Sequence, residues 1–151
     1  MNIAGERRVP ASRQAVWDAV MDPDILCGLI PGCRSLTQSE PFQYDAVVQV
    51  KVGPLKATFG GEVRLTDVMA PHRCRIEGEG QGGAAGFASG GADLELEEDA
   101  DGTIVRYAAE AKIGGKLAQI GSRVVNAVAE KLTRTFLDNL ANHFERDARV
   151  A

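Results

Sequence analysis

The last third of the chain constrains the fold most. Apolar residues recur at Leu117, Ile120, Val124, Val128, Leu132, Phe136, Leu140 and Phe144. Steps of three and four put them on one face of an α-helix. The spacing predicts a helix over 116–144, roughly 40–45 Å long at 1.5 Å per residue. Gly121 would then lie in the helix interior, at a cost of about 1 kcal/mol against alanine. Nothing else in the chain is long enough to cover the apolar face of such a helix except a sheet. The expected fold is therefore a curved sheet around a terminal helix, with the function lodged between them.

The preceding sequence supplies that sheet. Residues 3–9 suit a first strand. Ser12 is an N-cap candidate for a short helix over Arg13–Met21, and Asp22-Pro23 caps and opens a second one running to Ile30, stopped by Pro31-Gly32. The second helix is apolar almost all round, so it is expected to be buried or to face something greasy. Beyond Cys33 the period becomes two. Tyr44, Ala46, Val48, Val50 and Val52 alternate with polar residues, Gly53-Pro54 turns the chain, and Leu55, Ala57, Phe59, Gly61, Val63 and Leu65 alternate again. Further strands are expected after Pro71, over Phe87 to Glu97, and over Thr103 to Ile113, the last two joined by a turn at Asp99–Gly102. Strands segregated from helices give an α+β fold, read as a single domain over residues 1–151.

Composition narrows the function. A net charge of -4 without a basic cluster argues against nucleic acid. Cys27, Cys33 and Cys74 are odd in number and lack C-x-x-C spacing, which fits reduced thiols in a cytoplasmic protein. The polar start Met1–Arg8 is no signal peptide, and no apolar run reaches the ~18 residues of a membrane span. Contact with a membrane would be peripheral, at its inner face.

Few residues offer chemistry. Gly78-Glu79-Gly80-Gln81-Gly82-Gly83 matches G-x-G-x-x-G literally, but a strand follows it instead of a helix whose N-terminus could hold a phosphate. His72 and His143 have no neighbours at metal-ligand spacing and read as surface residues. Cys27 and Cys33 could pair on oxidation or serve simply as small buried hydrophobes. The carboxylates fall almost entirely on outward strand positions, which leaves no converging acid–base pair inside. No catalytic residue, metal or cofactor is expected. The inward positions are small as often as large (Ala46, Ala57, Gly61, Gly78, Gly80, Ala92, Ala109, Ala111). Two readings stay open: close packing of helix on sheet, or room for a ligand.

Several segments in order resemble the CoxG family of carbon monoxide dehydrogenase subunits: Val16-Trp17 with Asp22-Pro23, Ile30-Pro31-Gly32-Cys33, Val50 to Ala57, Gly82 to Gly90, and Gly114 to Gly121. The resemblance spans about residues 1–145. It implies a helix-grip fold of the START/Bet v 1-like type, a seven-stranded antiparallel sheet around the C-terminal helix with two short helices after the first strand. It also implies an accessory role beside a molybdenum hydroxylase of the carbon monoxide dehydrogenase type, and an apolar cavity for a quinone-like molecule or lipid. Carried onto this sequence, the ligand would meet Leu26, Leu29 and Ile30 of the second helix and Val48, Val50, Ala57, Phe59 and Tyr107 of the sheet. Phe87 would contribute from the glycine-rich hairpin, and Leu117, Ile120, Gly121, Val124 and Val128 from the long helix. Tyr107 would orient a ligand carbonyl. Related proteins often bear a membrane-associating tail after the helix; the segment Glu145–Ala151 here does not resemble one. The leading expectation is a non-catalytic carrier. The alternatives are an interaction module that assembles or recruits the dehydrogenase without a ligand, and a cyclase or hydratase of the same fold.

Overall fold

The computed structural model describes residues 1–150, with side chains through Glu145; the last residues, on which the expectation about a tail rests, lie outside the described side chains. Strand β1 (Asn2–Val9) is followed by helices α1 (Arg13–Met21) and α2 (Pro23–Leu29). Six strands follow: β2 (Cys33–Glu40), β3 (Gln43–Val52), β4 (Leu55–Met69), β5 (Arg73–Gln81), β6 (Phe87–Asp99) and β7 (Gly102–Gly114). A short helix, α3 (Lys116–Gln119), leads into α4 (Ser122–Val150). The seven strands form one antiparallel sheet in the order β1-β7-β6-β5-β4-β3-β2, which is the helix-grip architecture.

The short helices begin where their caps dictate. The Ser12 hydroxyl accepts from the Ala15 N–H at 3.2 Å. The Asp22 carboxylate accepts from Asp24 and Ile25 at 3.0 and 3.4 Å, satisfying N–H groups that have no partner within the helix. Strand β2 was not anticipated. Its sequence, Cys33-Arg34-Ser35-Leu36-Thr37-Gln38-Ser39-Glu40, is nearly all polar because it is an edge strand with only Leu36 buried.

The largest departure from the sequence reading is at Gly121. The terminal rod is two helices, and Gly121 is the joint between them, with φ +107°. Its N–H donates back to Ala118 at 3.4 Å, while its C=O accepts from Val125 at 3.1 Å and so opens α4. A side chain is strained in that backbone region. An interior helical glycine would gain about 1 kcal/mol on mutation to alanine. At this joint Gly121→Ala is expected instead to lose roughly 1–3 kcal/mol, which the midpoint of a urea titration will show.

The two ends of the sheet are filled differently. Toward the β6–β7 turn, α1 and the C-terminal half of α4 pack into a solid core. Val9, Val16, Trp17, Val20, Leu94, Leu96, Val105, Leu137 and Leu140 form one cluster there, with Val9, Val16, Val105 and Leu140 fully shielded. A second cluster joins Leu26 to Leu36, Tyr44 and Leu65. The Asn139 side chain donates to the Leu29 carbonyl at 3.0 Å, fixing the end of α2 against α4.

On the convex face, charge takes over. The Arg75 guanidinium on β5 bonds Glu77 at 3.0 Å, Asp93 of β6 at 3.3 Å and Glu110 of β7, so one side chain ties three strands. It lies against Gly91, where a Cβ would come within 2.6 Å of its Nη2. These carboxylate bonds, Glu110 first, hold the guanidinium pKa above its ordinary value.

Candidate functional site

Under the N-terminal half of α4 the concave face is not filled. A cavity of about 380 Å³ lies between α3–α4 and strands β3 to β7. Its walls are Ala46, Val48, Val50 and Val52 from β3, Phe59, Gly61 and Val63 from β4, and Gly78 and Gly80 from β5. Ala88 and Gly90 of β6, Ala111 and Ile113 of β7, Leu117 of α3, and Val125, Val128, Ala129 and Leu132 of α4 complete it.

Period-two alternation explains the character of this wall. Each inward strand position is aliphatic, alanine or glycine, apart from Phe59, and each charged residue takes the alternate, outward position. Glu62, Glu79 and Glu110 also border the space, but they occupy outward positions. Glu62 accepts from the Gln43 side chain at 2.8 Å, Glu110 bonds Arg75, and Glu79 is exposed. Glycine and alanine on the inner face supply the room. Gly61 is also required by close approach, since a Cβ there would lie 1.7 Å from the Glu79 carbonyl oxygen of β5.

Five of the residues expected at the ligand, Val48, Val50, Phe59, Leu117 and Val128, are brought together on this wall. The others lie elsewhere. Leu29 is in the first core cluster and Leu26 in the second, with Ile30 packed against the latter. Ala57 is buried opposite Val50 but not on the wall. Tyr107 packs on the first cluster with its hydroxyl over Gly5, 2.5 Å from where a Cβ would sit. Phe87 takes an outward position, 45% exposed, with its ring over Gly114. Ile120 and Val124 stand over the β3–β4 turn at Gly53, and Gly121 is the joint described above. The break at Gly121 resets the helical phase, so Val125 and Ala129 face the cavity while Val124 is 37% exposed. Strand parity already pointed to Ala46, Gly61, Gly78, Gly80 and Ala111; the change of phase in the helix left no periodic signal.

The thiols lie apart from this wall. Cys27 Sγ donates to Cys33 Sγ at 2.8 Å. Burial first, and then that contact, push the Cys33 thiol up to about 12, while burial followed by the Asp93 charge pushes Cys74 up to about 11. In both cases the unfolded chain gives up its proton first, near the ordinary value of 9.0. Their contribution to stability is complete below that value and is lost as the pH rises through the folded values. Urea midpoints are expected to fall between about pH 8 and pH 11, and less steeply in Cys33→Ser.

Among the described residues no three His, Cys, Asp or Glu side chains are grouped to hold a metal ion, and no helix is long and apolar enough to cross a membrane. What the site offers is apolar contact.

Comparison with solved structures supports the architecture. A conserved protein from Geobacillus kaustophilus is 28% identical and superposes with a TM-score of 0.89, covering 97% of this chain and 96% of that one. An aromatase/cyclase from a Streptomyces species is 13% identical with a TM-score of 0.71, over 98% and 95% of the two chains. A di-domain aromatase/cyclase is 15% identical with a TM-score of 0.66, over 95% of this chain and 49% of that one. At those two identities the likeness is one of fold alone. No match was found among curated proteins. The family model of the carbon monoxide dehydrogenase component CoxG matches residues 5–144, and the chain belongs to that family.

Proposed function

We propose that this protein is a non-catalytic carrier of a lipophilic molecule, quinone-like or lipid, and serves as an accessory to a molybdenum hydroxylase of the carbon monoxide dehydrogenase type. The observation that carries the reading is the cavity of about 380 Å³ with its aliphatic wall. Ligand pockets span roughly 300–1,000 Å³, and a cavity lined by hydrocarbon stays dry and takes up apolar guests. Each buried methylene of such a guest gains about 0.8 kcal/mol, so a hydrocarbon chain or substituted ring binds without any polar contact. The dehydrogenase partner is supported by the family to which the chain belongs.

A cyclase or hydratase would need groups that move protons at the substrate. Valine, alanine and glycine cannot, and the carboxylates bordering the space stand at outward positions. The carrier reading is tested by native mass spectrometry of the purified protein, followed by solvent extraction of whatever adds mass. A lipophilic compound released in stoichiometric amount is expected. Ligand-free protein that takes up neither quinone nor lipid when offered them would overturn the reading, and turnover of a polyketide-like substrate would replace it with the enzymatic one.

A further inference from the structure

The end of the fold that holds the cavity is also the end without acids. Three stretches meet there: 46–61 around the β3–β4 turn, 80–92 from the end of β5 into β6, and 111–129 from the end of β7 into α4. Together they contain Lys51, Lys56, Lys112, Lys116 and Arg123, and none of the chain's 21 Asp and Glu residues. The whole chain is nevertheless acidic, at -4, so its charge is strongly polarised along the strands.

Two details show that these cations are not there for stability. None of the five takes part in an ion pair among the described residues, whereas Arg7, Arg8, Arg13, Arg64, Arg75 and Arg106 all do. Lys51 and Lys56 are moreover direct cross-strand partners in the β3–β4 register, both exposed. Like charges set opposite one another in a sheet are destabilising. A local rule broken without compensation within the fold points to something outside it.

The same end exposes apolar surface. Val124 and Phe87 are 37% and 45% exposed, and Ile120 with Val124 stands over the Gly53 turn. Phe42 and Met69 are exposed at the opposite end, but there they sit among Glu40, Asp67 and Glu95. Only the cavity end combines apolar side chains with unpaired cations, the combination that suits the boundary between anionic headgroups and acyl chains.

We propose that this end of the fold docks on an anionic lipid bilayer. Lys51, Lys56, Lys112, Lys116 and Arg123 meet headgroup phosphates, and Val124 and Phe87 touch the acyl boundary. The cavity then opens toward the bilayer, and a lipophilic ligand passes between the two without crossing water. That last step rests on the carrier reading above; the docking does not.

The test is co-sedimentation of the full chain with vesicles of phosphatidylcholine alone or mixed with phosphatidylglycerol. Binding is expected only to the mixed vesicles, and it is expected to weaken as salt shortens the screening length from about 10 Å to about 3 Å. At roughly fivefold per lysine, Lys51→Gln with Lys56→Gln lowers partitioning on the order of 25-fold. Removing the opposed charges leaves the urea midpoint unchanged or raised, and Arg73→Gln at the far end leaves partitioning unchanged. Equal binding to both vesicles, or full binding by the double variant, would overturn the proposal. So would absence of binding while the protein loads quinone from detergent micelles, an outcome that leaves the carrier reading intact. An acidic protein captured by this face while neither vesicle binds would also overturn it. Gly78→Phe protein that docks normally yet carries nothing supports the docking independently of the cargo.

Discussion

Gly78→Phe will abolish ligand uptake while leaving the protein folded. Gly78 lies on the cavity wall at an inward position of β5. A Cβ built there meets only the Glu62 carbonyl oxygen at 3.6 Å and a Val63 methyl at 3.8 Å, ordinary contacts that require no backbone shift. The ring therefore has one direction open to it, into the space a ligand would fill. Aromatic residues favour strands and glycine weakens them, so the urea midpoint is expected to hold or rise. If the carrier reading is right, the mass of bound compound seen in native spectra disappears, a loss of at least about 100-fold in occupancy from the ~3 kcal/mol of apolar contact displaced. Unchanged occupancy would place the ligand elsewhere, or nowhere. Gly121→Leu, which the sequence suggests for the same purpose, would not serve: Gly121 is not on the wall, and its φ of +107° penalises any side chain.

The second large effect separates the two halves of α4. Leu140→Ala is expected to cost about 3–5 kcal/mol, because the site is closely packed and a cavity term adds to the lost burial. Leu140 is 0% exposed and touches the cluster formed by β1, α1, β6 and β7. Leu132→Ala, two turns earlier on the same helix, removes a side chain that already borders open space. Its expected cost is about 1–2 kcal/mol, near the transfer term alone. Both values come from urea titrations of ligand-free protein. Equal costs would mean that the N-terminal half of α4 is packed as densely as the C-terminal half.

How far the site was legible follows from how each element carries its signal. In strands β3, β4 and β7 the side chain alternates with every residue, so the inward positions of Val48, Val50, Phe59 and Ala111 can be counted from the turns that bound them. Helical phase is less robust. A single backbone excursion at Gly121 rotates everything after it, and the stripe through Ile120 and Val124 gives way to one through Val125 and Ala129. Tyr107 illustrates a third limit. Its inward parity is readable, but the direction of its ring is decided by Gly5, the cross-strand neighbour that leaves space over β1.

The layers themselves are written into the order of residues: half-buried segments for every strand but the polar edge strand β2, two capped short helices, and a terminal helix with one apolar stripe. These follow from periodicity and capping, which act between residues a few positions apart. Where the interior is solid and where it is hollow emerges only once the elements pack. Whether a glycine or alanine lets two elements touch or leaves a void depends on the distance between β5 and α4, set by side chains far away in sequence such as Leu140 and Trp17. The gathering of five unpaired cations at the hollow end is likewise a product of antiparallel register, because it brings together stretches that lie dozens of residues apart in the chain.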